Sequence, residues 1–135
     1  DDMYEIAKSR FEVFVCEQEI IEEQDFDDKD KLCHHVMLKE DGRIVAYSRI
    51  VPKGIGYENI SIGRVLVLNS HRRRGIAQKM MKVALEFIKN NLNENIVVLS
   101  AQEYVKEMYS SVGFKVISDV YDEVNIPHVK MKIEL

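Results

Sequence analysis

Three consecutive arginines, Arg72-Arg73-Arg74, stand directly before Gly75-Ile76-Ala77-Gln78, where an apolar run ends and an amphipathic one begins. Residue types in this order suit phosphate binding. The first N–H groups of a helix have no internal partner, and the macrodipole adds partial positive charge there. Gly75 lets a ligand approach the backbone, small Ala77 avoids a clash one step on, and the arginines supply charge with forked donors. Other phosphate motifs are missing. The P-loop spacing is absent, and Gly54-Ile55-Gly56 lacks the third glycine and the helix of a dinucleotide fingerprint.

The elements around this turn follow from periodicity. Ile60 to Leu68 is β-branched and apolar enough for a central strand leading into it. Gly75 to Lys89 then predicts a helix with Ile76, Met80, Val83, Ala84, Phe87 and Ile88 on its apolar face. Upstream, Met3, Ile6, Ala7, Phe11, Phe14 and Val15 mark a helix over 3–16, followed by an acidic loop or short helix. His35 to Leu38 and Arg43 to Tyr47 predict a hairpin turned by Asp41-Gly42. Downstream, Ile96 to Leu99 is a short buried strand. Ser100 and Glu103 have capping-box spacing for a helix carrying Val105, Met108, Tyr109 and Val112 and stopped by Gly113. Phe114 to Val124 and His128 to Ile133 complete the order as strands, a mixed α/β arrangement without repeats or linkers.

Composition bounds the rest. At 135 residues, 46% hydrophobic and 31% charged, the chain suits one globular domain over 1–135. No run approaches the length of a membrane span, and two cysteines, Cys16 and Cys33, are too few for a disulfide scaffold, so a cytoplasmic setting is expected. The net charge of −4 divides into an acidic block, Glu22 to Asp30, and a basic one from Arg72 to Lys89. A single basic cluster on an acidic chain does not suit a nucleic acid, which needs a broad positive face, but does suit a small phosphorylated ligand.

With these residues in place, the sequence resembles the GCN5-related N-acetyltransferase (GNAT) superfamily. Arg72-x-x-Gly75-x-Ala77 after a buried strand matches its acetyl-CoA motif, and Tyr109-x-x-x-Gly113-Phe114 follows one strand later. Arg10 to Gln18, the acidic stretch through Asp25 and Asp28, Ile62-Gly63-Arg64-Val65, Leu99-Ser100-Ala101-Gln102 and Ile126-Pro127-His128 resemble its ElaA-like branch. The resemblance spans essentially the whole chain. Arg73 stands where many members have glycine, and the family's first strand has no counterpart before the opening helix, which points to a segment upstream of Asp1.

The resemblance implies an α/β (α+β) fold: a central mixed, mostly antiparallel sheet flanked by helices, with a splay between the family's fourth and fifth strands. It implies acetyl-CoA as cosubstrate and no metal. Backbone groups of Val65, Leu66 and Val67 would hold the pantetheine arm, and an N–H of Val65 or Leu66 would stabilise the oxyanion. Arg72, Arg73, Arg74, Gly75, Ile76, Ala77 and Gln78 would hold the pyrophosphate. Tyr109 corresponds to the general acid for the departing thiolate, against the duller alternative of a core tyrosine with a satisfied hydroxyl.

The acceptor amine needs a base. A lysine-like amine of pKa ~10.4 is neutral at pH 7 to about one part in 2,500, a deficit of about 4.6 kcal/mol. Glu17, His34, His35 and His128 are candidates, and the sequence does not choose among them. Adjacent His34 and His35 point to opposite faces of a strand, so at most one is expected in a cleft. A zinc site from Cys33, His34, His35 and His128 is disfavoured, because adjacent ligands seldom reach one tetrahedral metal. Glu23, Asp25 and Asp28 are candidates for attracting a cationic small-molecule or peptide amine, and Arg64 and Gln102 for contacting it. Cys16 lies remote in sequence from the cofactor motif, so no acyl-enzyme is expected. The alternative is a non-catalytic CoA-binding module, distinguished by its indifference to Tyr109→Phe. The sequence leaves a homodimer open.

Overall fold

Apolar and β-branched residues recur in five runs that become the long strands of one sheet. The computed structural model describes residues 2–17 and 27–135, and of residues 15–17 the backbone only. Helix α1 (Asp2–Arg10) runs into a π-helical turn (Phe11–Glu17), and a 3-10 helix (Asp28–Leu32) precedes the sheet. Strands β1 (His34–Glu40), β2 (Arg43–Val51) and β3 (Ile60–Val67) form an antiparallel meander. Helix α2 (Ile76–Asn91) crosses to β4 (Ile96–Gln102), which pairs parallel to β3. Helix α3 (Lys106–Ser111), short strands β5 (Lys115–Val116) and β6 (Tyr121–Glu123), and β7 (Ile126–Glu134) complete the chain. The sheet order is β1-β2-β3-β4-β7-β5, with β6 also on β7, and β3–β4 is its parallel pair among antiparallel ones.

Two features of β3 position everything that follows. Its pairing with β4 is confined to Ile60 with Val97 and Ser61 with Val98. Beyond that point the strands part, which is the splay expected from the resemblance. Opposite β2, Arg49 pairs with Gly63 and Tyr47 with Leu66, so Arg64 and Val65 together face the single residue Ser48. This is a β-bulge, and Arg64 takes up the extra residue in left-handed backbone with φ 52°. Side chains alternate with period two, so one inserted residue reverses the strand's faces. Ile60 and Ile62 accordingly pack in the core beneath α2, whereas Leu66 and Leu68 pack in the second core with Ile6 of α1.

Several local expectations are revised. The opening helix is α-helical only to Arg10. On α2 the buried face is Met80, Met81, Ala84, Leu85 and Ile88, and Val83 is 53% exposed, because the stripe rotates toward the sheet by about one position. The Ser100–Glu103 capping box is not formed. Strand β4 continues through Ser100, which pairs with Lys130, and the 3-10 turn Glu103–Val105 ahead of α3 has Gln102 at its N-cap without a side-chain cap. The predicted strand over 114–124 breaks into β5 and β6, where the Ser118 hydroxyl accepts from the Lys130 N–H in place of a ladder bond.

Candidate active site

The parted strands open a cleft of about 880 Å³ that reaches both faces of the split. Its first wall is continuous in sequence. Val65, Leu66 and Val67 line it along the edge of β3 that β4 has left, where among the described residues no strand pairs with them on that side. His71, Arg72, Arg73, Gly75, Ile76, Ala77 and Gln78 continue the wall at the start of α2. Arg72 is held in place by its Nε, which donates to the Val67 carbonyl at 2.8 Å. Arg73 and Gly75 both adopt left-handed backbone, φ 63° and 70°. Arg73 does so without being glycine, at a cost of about 1–2 kcal/mol. Arg74 is exposed and does not line the cleft, contrary to the sequence expectation.

Tyr109 enters from α3. It is 6% exposed, sits edge-on to Phe114 at 6.1 Å, and lines the cleft. Its hydroxyl has no hydrogen-bond partner among the described residues, unlike a satisfied core tyrosine. Burial pushes its phenol well above the ordinary value, so it remains protonated and able to donate.

The opposite wall is assembled from distant segments. Val13 and Phe14 come from the π-helical turn, Arg49 and Val51 from β2, and Tyr57 from the β2–β3 loop. Ser100 and Gln102 from β4 and His128 from β7 also line the cleft, and Gln102 pairs directly with His128 across the ladder. Glu123 approaches from β6 at a tight turn whose central residues, Val124 and Asn125, both have positive φ. His128 is 5% exposed; its Nδ1 lies 2.7 Å from the Ile126 carbonyl and its Nε2 3.3 Å from Glu123 Oε2. Arg64 lines the cleft with a guanidinium nitrogen 3.8 Å from the Asp27 carboxylate.

Of the three candidate bases whose side chains are described, only His128 is placed in the cleft. His34 and His35 do point to opposite faces of β1, but neither reaches it. His34 packs edge-on to Phe87 of α2, and His35 bonds the Tyr47 hydroxyl and the Asp30 carbonyl. The side chain of Glu17 lies outside the described residues, as do Glu23 and Asp25. Asp28 is exposed and off the cleft. His128 is separated from Cys33, His34 and His35 by three intervening strands of the sheet order. Among the described residues no group of three His, Cys, Asp or Glu side chains forms a metal site.

The acidic block has a structural task that its composition concealed. Asp30 accepts from Arg10 at 2.8 Å and from Arg49 at 3.0 Å, and Arg49 also reaches Asp27 at 2.8 Å. Arg10, Asp30 and Arg49 are 0%, 6% and 5% exposed, and the Arg10 guanidinium lies over the Tyr47 ring. Hydrogen bonding to Arg49 lowers the Asp27 carboxyl to about 2, and pairing with Arg10 holds Asp30 low against its own burial. Two of the block's carboxylates are therefore spent on tying α1 and the 3-10 helix to β2. Arg49, Tyr57, Ser100 and Glu123 were missed as cleft residues because no spacing in the sequence links them; the one local signal was Asn125, a residue that tolerates left-handed backbone, marking the turn beside Glu123.

A mixed sheet split between two parallel strands, with an arginine-glycine helix start at the split and a buried tyrosine beside it, defines an acyltransferase class. The chain belongs to the GNAT acetyltransferase family: the profile of the acetyltransferase (GNAT) domain matches residues 3–135. A UPF0039 protein of Schizosaccharomyces pombe is 41% identical over 99% of this chain and 89% of its own. The crystal structure of Escherichia coli ElaA superposes with TM-score 0.88 at 32% identity, covering 98% of this chain and 89% of that one. An acyl-CoA N-acyltransferase from Pseudomonas aeruginosa does so equally, with TM-score 0.88, 32% identity, and 97% and 89% coverage. Among the described residues no helix is long and apolar enough to cross a membrane.

Proposed function

We propose that this protein transfers an acetyl group from acetyl-CoA to a primary amine, on a small molecule or a peptide, by direct attack within a ternary complex. The observation that carries this reading is the meeting, in one cleft, of the unpaired β3 edge, the Arg72–Gln78 turn and the Tyr109 hydroxyl's wall. Backbone groups of Val65 to Val67 hold the pantetheine arm in the manner of an added strand, and an N–H of Val65 or Leu66 faces the oxyanion. Arg72, Arg73 and the amides from Gly75 to Gln78 hold the diphosphate. Tyr109 protonates the leaving thiolate. Arg64 and Gln102 contact polar groups of the acceptor on the other wall. Cys16 is remote in sequence from the cofactor turn, and the reaction proceeds without an acyl-enzyme. A cytoplasmic setting fits the low cysteine content.

The test is calorimetry with CoA and acetyl-CoA, beside thiol release across a panel of primary amines. Binding of both, with thiol release that depends on an amine, is the expected result. Absence of binding would remove the acyl-CoA reading, and binding without thiol release by any amine would leave a non-catalytic CoA-binding module. Labelled acyl-enzyme formed from acetyl-CoA alone would overturn direct attack.

A further inference from the structure

We propose that Glu123 and His128 act as one proton-accepting pair for the incoming amine, with Glu123 a catalytic residue that no sequence motif marks. This rests on the N-acyltransferase reading above. The geometry of the pair fixes where its protons sit. His128 Nδ1 is 2.7 Å from the Ile126 carbonyl, an acceptor without a proton to give, so Nδ1 carries hydrogen and donates. The Nε2 lone pair is then the imidazole's vacant proton site, and it faces Glu123 Oε2 at 3.3 Å. A lone pair opposite a carboxylate is repulsive, and one proton between them converts the contact into a charge-assisted hydrogen bond. The pair is built to gain a proton.

Its surroundings support the same direction. The Ser100 hydroxyl donates to Glu123 Oε2 at 3.5 Å and is hydrogen-bonded to the Tyr121 hydroxyl at 2.5 Å, so a donor faces the carboxylate. Tyr121 stacks on the His128 ring at 6.2 Å and fixes its plane. Gln102, opposite His128 on β4, carries no charge. On the 3-10 turn beside β7, Glu103 is paired with Lys106 at 2.8 Å, and Lys130 sits over the Tyr57 ring at 4.8 Å. Glu123 is therefore the carboxylate in contact with His128 among the described residues. The imidazole is 6% exposed and Glu123 47%, so a proton taken up inside the cleft has an exit to water through the carboxylate.

The step balances as follows. A substrate ammonium gives one proton to His128 Nε2, and Glu123 passes it to solvent. The neutral amine forms its N–C bond to the thioester carbon, the C–S bond breaks, and the thiolate takes a proton from Tyr109. The nitrogen's second proton restores the tyrosine. One proton is released per amide formed.

Two probes separate this role from mere support of the cleft: butylamine, which is charged at pH 7, and hydroxylamine, which is not. His128→Asn should reduce kcat/KM for butylamine by about a hundredfold or more, and Glu123→Gln by about tenfold, with hydroxylamine acylation changed by less than about threefold. Glu123→Asp should restore part of the butylamine rate. CoA affinity by calorimetry should be unchanged in each variant. Equal losses for both amines, or no loss for butylamine, would overturn the pair. Nitrogen NMR of the ligand-free protein reads the proton placement directly, whether or not either amine is acylated. A hydrogen on Nδ1, with an Nε2 resonance that shifts on Glu123→Gln, is expected. A neutral Nε2–H tautomer indifferent to Glu123→Gln would overturn the proposal, whereas loss of CoA binding by the unaltered protein would instead remove the acyl-CoA reading.

Discussion

The two walls of the cleft are built on opposite plans. The wall proposed for the cofactor draws on one segment of chain between Val65 and Gln78, whose arginines are half-buried or exposed. The acceptor wall gathers Val13, Arg49, Tyr57, Ser100, Glu123 and His128 from six places, and it stands on a buried charge network joining Arg10, Asp30, Arg49 and Asp27. A ligand of constant chemistry is met by a local motif, since strand edge, turn and helix start supply the same donors wherever they occur. A wall specific to one acceptor needs side chains at set positions in space, and distant segments must be locked together to provide them. The network does that locking for the part of the wall that comes from the first helical segment and β2.

Breaking the lock should therefore have the largest effect. Asp30→Asn leaves Arg10 and Arg49 short of a buried carboxylate and should lower unfolding free energy by about 3 kcal/mol or more, measured by urea denaturation. An unchanged midpoint would show that the acceptor wall does not depend on the network. The same network gives stability a pH dependence. Asp27 ionises at about 2 when folded against an ordinary 3.8, so its contribution is full above 3.8 and disappears as pH falls through about 2. Acid titration of the melting temperature should show this loss, and Asp27→Asn should flatten it.

Tyr109→Phe, at the junction of the walls, comes next: kcat should fall by about a hundredfold while the CoA dissociation constant stays the same. A parallel loss of CoA binding would make Tyr109 a packing residue of the cofactor wall. On that wall itself, Arg72→Ala removes a cation proposed to meet phosphate and should weaken CoA about tenfold by calorimetry, with folding stability little changed. The smallest effect is expected at Arg74, which is off the cleft, where alanine should change CoA affinity by less than about twofold. A large effect there would mean that the three arginines act together.

How far the sequence was legible follows the same division. The Asp41-Gly42 turn, with φ 53° and 78°, was legible because only a few residue types accept that backbone. Gly75 and the arginines before it were legible for a similar reason. Ser100 was misread: its pairing with Lys130 on β7 cannot be seen locally, whereas its spacing to Glu103 can, and the pairing overrode the helix signal. Val83 was misread because a helical stripe has the same period whichever way it is rotated, and only the sheet beneath α2 selects Met81 and Leu85 instead.

Sequence alone determined the family, the order of strands and helices as far as α3, and the segment proposed to meet the cofactor, because each is written in neighbouring residues and in backbone preferences that act over a few positions. Tertiary structure alone decided which histidine enters the cleft, that Asp27 and Asp30 are bound to buried arginines, and that Glu123 stands beside His128. Those outcomes depend on strand register, on one inserted residue at Arg64, and on pairings such as Arg10 with Asp30, 20 positions apart, for which the local chain carries no period or motif.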